Sequence, residues 1–122
     1  MDTNVFESAR LLLVDIYGSL SALESGNGLR CTSAAKGKIT LYRSGLASGN
    51  RGEIAFDVES MAARAGKSTA ETERFLAELK ATNGRRTEQN LRYDWPRVGF
   101  STTEEAQFIA LRLKHFFGLA DI

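Results

Sequence analysis

Two short stretches, KITLYR (38–43) and EIAFDV (53–58), alternate apolar and polar residues, whereas the runs on either side repeat apolar residues every three or four positions. Alternation puts Ile39, Leu41, Ile54 and Phe56 on one face of a half-buried sheet. The flanking helical spacing then supplies amphipathic helices to cover that face. A chain that changes period in this way reads as α+β, not as a helical bundle or a parallel α/β domain. At 122 residues it is about one domain. The expected order over 1–122 is α-β-β-α-α-β-α, with a small antiparallel sheet of about three strands covered by helices.

The helical boundaries come from caps and breakers. Residues 4–24 read as a first helix, with Asn4 as cap, Glu7 completing a variant capping box, and a stripe of Phe6, Ala9, Leu13, Ile16, Tyr17 and Leu20. Leu11, Leu12, Val14 and Leu23 widen that stripe until the helix is apolar nearly all round. Gly28 to Ser33 can add a short edge strand. The glycine-rich SGLASGNRG, residues 44–52, is too long for a tight hairpin and is expected to be a mobile surface loop. Asp57 caps a helix that stops at Gly66. Ser68 and Glu71 form a capping box for another that runs to about Thr82. LRYDWPRVGF (91–100) reads as a strand, which Pro96 confines to an edge or a bulge. Ser101 and Glu104 open a last helix, 102–117, stopped by Gly118.

Composition narrows the function classes. No run of eighteen apolar residues exists, so no membrane span is expected. The start MDTNVFESAR lacks the basic opening of a signal peptide. Cys31 is the single cysteine, which leaves no internal disulfide and no thiolate metal site. A cytoplasmic location is the expectation. His115, the single histidine, stands near a helix end with no sequence-local carboxylate or nucleophile. No His/Cys/Asp/Glu set stands at ligand spacing, and the glycine loop lacks the GxxxxGK[ST] pattern. No cofactor or metal is expected, and the balance leans away from an enzyme. Net charge is +1, with six Lys/Arg against seven Asp/Glu over 1–61 and ten against eight over 62–122.

The most suggestive segment is VESMAARAGKSTAETERFLAEL, residues 58–79. Met61 and Ala62 offer a close first contact, Gly66 a turn, and Phe75, Leu76 and Leu79 the later anchors. In these respects the pair over 58–82 resembles the helix-turn-helix of winged-helix regulators. The resemblance implies phosphate contacts from Arg74 and Lys80, and a wing carrying Arg85, Arg86, Arg92 and Arg97. Tyr93 and Trp95 interleave with those arginines and could stack on bases. Against a base-reading role stands the outward face of the second helix, which offers Glu71, Glu73 and Glu78. The function expected first is DNA or RNA binding. The blander reading makes Tyr93 and Trp95 half-buried strand residues and the arginines loop solvation.

Two other functions remain open on the sequence. The apolar helices 4–24 and 102–117 carry more apolar surface than a three-stranded sheet would cover, which fits a homodimer or a protein-binding module of inhibitor, immunity or adaptor type. An apolar pocket between the sheet and these helices, gated by the glycine loop, would instead bind a small molecule. Salt separates the first two, since phosphate binding weakens steeply with added salt and an apolar interface does not.

Overall fold

The structure is a computed structural model, and it describes residues 3–88 and 94–119. The chain is α+β, as its change of period requires, but the sheet has five antiparallel strands, not about three. Helix α1 (Thr3–Tyr17) is followed by strands β1 (Ser21–Ala22) and β2 (Gly28–Cys31), a 3-10 turn (Ala34–Lys36), then β3 (Ile39–Tyr42) and β4 (Gly52–Phe56). Helices α2 (Val58–Ala65) and α3 (Thr69–Asn83) lead to β5 (Arg97–Phe100) and α4 (Thr103–Phe117). The order is thus α-β-β-β-β-α-α-β-α.

Strands lie in chain order, β1-β2-β3-β4-β5, so each neighbour pair is antiparallel and β5 forms one edge. Pro96 immediately precedes that edge strand, where its missing N–H costs no ladder bond. Only four residues of the expected 91–100 strand, Arg97–Phe100, are strand; 89–93 lie outside the described residues. The first helix ends at Tyr17, seven residues short of its expected end. Gly18 takes a φ of +91° there, and its N–H closes the last turn on the Val14 carbonyl. Leu20 and Leu23 continue the helical spacing only by coincidence, since Ser21 and Ala22 pair with Arg30 and Leu29. The Gly28 strand is present, but β1 covers it and it is not an edge.

Capping explains the helices that follow. Asp57 holds the N-cap position of α2 without a side-chain bond, and Gly66 ends the helix in the left-handed region. Ser68 and Glu71 form the expected capping box of α3. On α4 the cap sits one residue later than expected, with Thr102 accepting from the Glu105 N–H.

The helices pack on one face of the sheet. Leu13 and Ile16 of α1, Met61 of α2, Leu76 and Leu79 of α3, and Ile109 and Leu113 of α4 meet Leu41, Ile54, Phe56, Val98 and Phe100 in one cluster. Helices α1 and α4 also pack on each other, so most of their apolar surface is buried inside the fold. Arg64 of α2 joins three parts of this layer. Its guanidinium donates to the carbonyls of Ile16 (2.9 Å) and Lys36 (2.7 Å) and lies 4.1 Å over the Phe117 ring. Among the described residues no helix is long and apolar enough to cross a membrane.

Candidate nucleic-acid interface

The same alternation that buries Ile39, Leu41, Ile54 and Phe56 sends the intervening residues to the outer face of the sheet. Strand register lines them up in rows: Arg30, Thr40, Ala55 and Arg97 in one, Gly28, Tyr42, Glu53 and Gly99 in the next. The four helices all lie on the opposite face. Two loops fold over part of the outer face, and Glu53 is what holds them.

Glu53 is fully buried, and its carboxylate accepts four hydrogen bonds from the described residues. The donors are Ala47 N–H (2.8 Å), Asn50 Nδ2 (2.7 Å), Glu88 N–H (3.1 Å) and Arg97 Nη1 (2.9 Å). A buried carboxylate is tolerable only when paired and hydrogen-bonded in this way. Arg97 in turn lies 4.1 Å over the Tyr42 ring. Asn50 also donates to the Arg86 carbonyl (2.9 Å) and packs over Gly99, where a Cβ would come within 2.6 Å of its amide nitrogen. The glycine loop over 44–52, expected from its composition to be mobile, is instead tied to the sheet through Ala47 and Asn50.

These contacts reposition the residues singled out in the sequence. Arg97, expected as a phosphate contact, is 8% exposed, with its guanidinium on the Glu53 carboxylate and over the Tyr42 ring. Arg85 is bound to Glu105, with Nε at 2.8 Å from Oε1 and Nη2 at 3.3 Å from Oε2. Burial pushes the Glu105 carboxyl up, but Arg85 and the Ser101 N–H outweigh it and hold the group below its ordinary range. Lys80 donates from Nζ to Thr87 Oγ1 at 2.8 Å. Arg74 and Arg86 are exposed, and Trp95 is half-buried. Arg92 and Tyr93 lie outside the described residues.

Of the expected wing, residues 89–93 lie outside the described residues; in the part before them Arg85 docks on α4 and the Glu88 N–H on Glu53. On α3 the exposed side chains include Glu71, Glu73 and Glu78 against Arg74. Glu71 closes the Ser68 cap, and those bonds hold its carboxyl below the ordinary range. A helix with this face repels phosphates.

Three of the singled-out residues do come together. Lys80, Trp95 and Arg97 line one cavity of about 580 Å³, which also presents Glu73, Glu88 and Asp94. Trp95 lines two further cavities. One, of about 440 Å³, carries Asp57, Glu59, Glu73 and Asp94. The other is a groove of about 340 Å³ on the outer face, walled by Arg30, Thr32, Lys38, Thr40, Tyr42 and Trp95. Its lining among the described residues holds two cations, two aromatic rings and three hydroxyls, with Leu23, Cys31 and Ile39 beneath and no carboxylate.

Sequence reasoning missed Arg30, Lys38 and Tyr42. Lys38 and Tyr42 are the outward members of KITLYR, so the alternation already placed them together. Arg30 and Trp95 join them only through strand order. His115 sits in the last turn of α4, and Cys31 is buried on the core face. Among the described residues no group of three His, Cys, Asp or Glu is placed to hold a metal.

Comparison with family models, with curated proteins and with solved structures finds no match to this chain.

Proposed function

We propose that this protein binds single-stranded nucleic acid through the outer face of its sheet, as a cytoplasmic binding or regulatory protein without a catalytic step. The observation that carries the reading is the groove in which Arg30 and Lys38 stand beside Tyr42 and Trp95, with no carboxylate among its described lining residues. Cations on a groove floor track phosphates, and aromatic walls stack bases whatever their sequence. Duplex binding has less support. The helix that would enter a major groove presents glutamates, and the groove is concave, which suits splayed-out bases better than a double helix.

Fluorescence anisotropy with labelled single-stranded and duplex DNA tests this, at low and moderate salt. The expected result is single-strand binding that falls with salt and a weaker duplex signal. Absence of single-strand binding at low salt would remove the reading.

A second reading, contact with another protein or with a second copy, draws on Leu11 and Leu111, which are 56% and 41% exposed on α1 and α4. Those helices are the ones singled out in the sequence for a partner. Since they already cover each other and a five-stranded sheet, the apolar surplus is smaller than their sequences alone imply. Binding that ignores salt would favour it.

A further inference from the structure

Thr40 is buried without a use inside the fold. Of the other buried polar side chains among the described residues, Glu53, Ser60, Thr72 and Arg97 are all hydrogen-bonded. Thr40 is only 8% exposed, yet its hydroxyl bonds no described residue. Unlike the orphaned Tyr17 Oη and Arg97 Nε, that hydroxyl is not sealed from solvent, and it lies on the outward face of β3 in the groove wall. A buried polar group left unpaired in this way asks for an explanation, and a ligand atom supplies one.

Its neighbours are unpaired too. Arg30 stands opposite Thr40 across β2 and β3, and Thr32 and Lys38 follow just past the last pair, Cys31 with Ile39. Residues opposite each other on antiparallel strands have Cβ atoms about 5 Å apart, and next-but-one residues along a strand are about 7 Å apart. The four therefore form a small rectangle, with the cations on one diagonal and the hydroxyls on the other. Arg10, Arg85, Arg97 and Lys114 answer carboxylates, whereas the side chains of Arg30, Thr32 and Lys38 bond no described residue. The Lys38 backbone is held on both sides, its N–H donating to Ser60 Oγ (2.8 Å) and its carbonyl accepting from the Asp57 N–H (3.1 Å). The Asp57 side chain lines a different cavity.

Four side chains that can all donate, two of them cationic, suit one compact anion with several acceptor oxygens. A phosphoryl group has them: its oxygens take charge-assisted bonds from Arg30 and Lys38 and hydroxyl protons from Thr32 and Thr40. A neutral ligand would leave both cations unanswered. We infer that β2 and β3 form a seat for one phosphoryl group, with Thr40 at its floor and Arg30 and Lys38 on either side. The seat uses neither Trp95 nor Tyr42. It goes beyond the single-strand reading, for which it fixes the place of one phosphate, because a small phosphorylated molecule satisfies the same donors.

The probe is inorganic phosphate, titrated into the full chain at constant ionic strength and followed by amide NMR shifts, with chloride as the control. The expected result is saturable shifts over 30–32 and 38–40 that chloride does not produce. Thr40→Val keeps the side-chain shape and removes a hydroxyl that no described residue uses. Its thermal midpoint should hold while phosphate affinity falls about tenfold or more, the worth of a hydrogen bond to a charged group. Thr40→Ser returns the hydroxyl and should recover most of that loss. Shifts that chloride reproduces, or a Thr40→Val protein that binds phosphate like its parent, overturn the inference. A labelled single strand followed by anisotropy then separates the sources. Displacement of the strand by phosphate supports a strand phosphate in the seat. Saturable phosphate binding without any strand binding supports a small phosphorylated molecule there and sinks the single-strand reading. A strand that binds while phosphate does not leaves that reading standing and overturns the seat.

Discussion

Arg97 donates to Glu53 diagonally across the β4–β5 ladder: Glu53 lies opposite Gly99 and Arg97 opposite Ala55, yet Nη1 and Oε1 are 2.9 Å apart. The diagonal pair places the guanidinium over Tyr42, while Asn50 fills the space over Gly99. One buried pair thereby sets the positions of a groove wall, the glycine loop and the segment after α3.

Removing the carboxylate should therefore cost more than an ordinary surface change. Glu53→Ala leaves Arg97 buried and unpaired, a loss of about 3–5 kcal/mol by analogy with other broken buried pairs. Urea denaturation would show the midpoint falling. A change under about 1 kcal/mol, the size of an exposed ion pair, would mean that Glu53 is not what holds the loops.

The acid limb of stability should depend on Glu105. Its folded-state pKa is depressed, with burial opposing and Arg85 and the Ser101 N–H prevailing. A depressed carboxylate contributes stability that is fully present above its unfolded value, about 4.3, and is lost as pH falls through the lower folded value. Denaturation midpoints measured downward from neutral pH should fall less steeply for Glu105→Gln than for the parent protein. Identical acid limbs would show that Arg85 does not hold this group. Because the pair is partly exposed, added salt should shrink the difference.

How much of the fold is legible in the sequence depends on the distance over which each feature is decided. KITLYR and EIAFDV declare their inward faces locally, and so do the Ser68–Glu71 cap and the left-handed stops at Gly66 and Gly118. Strand β1 is obscured because Leu20 and Leu23 continue a helical spacing that Gly18 has already ended, whereas β2 follows the Gly28 signal. The role of Arg97 is not local at all: its partner lies 44 residues away, and an arginine beside Trp95 looks the same in sequence whether buried or exposed. The groove is likewise a product of strand order, which brings Arg30 and Trp95 to one face from opposite ends of the sheet.

Charge removal in the groove should act on affinity and not on folding. Arg30 is exposed and Lys38 half-buried, and neither belongs to the core cluster. Arg30→Ala with Lys38→Ala is expected to weaken single-strand binding and to lower the salt slope by about one for each phosphate that is no longer neutralised. Arg85→Ala with Arg86→Ala should lower the slope less, since Arg85 already answers Glu105. Slopes measured by anisotropy across a salt series compare the two pairs. A larger drop in slope from the Arg85, Arg86 pair would return the binding surface to the segment after α3.

Trp95 gives the groove its own reporter, because it is the single tryptophan of the chain. A base stacked on the indole should quench its emission, in proportion to occupancy and at concentrations matching the anisotropy curve. Trp95→Ala should then cost about 1–3 kcal/mol of binding, the usual worth of one base–aromatic stack. Trp95→Phe keeps a ring and should recover much of that loss while abolishing the fluorescence signal. Single-strand binding that leaves the emission unchanged would separate the binding site from Trp95, and with it from the groove, even if Arg30 and Lys38 proved necessary.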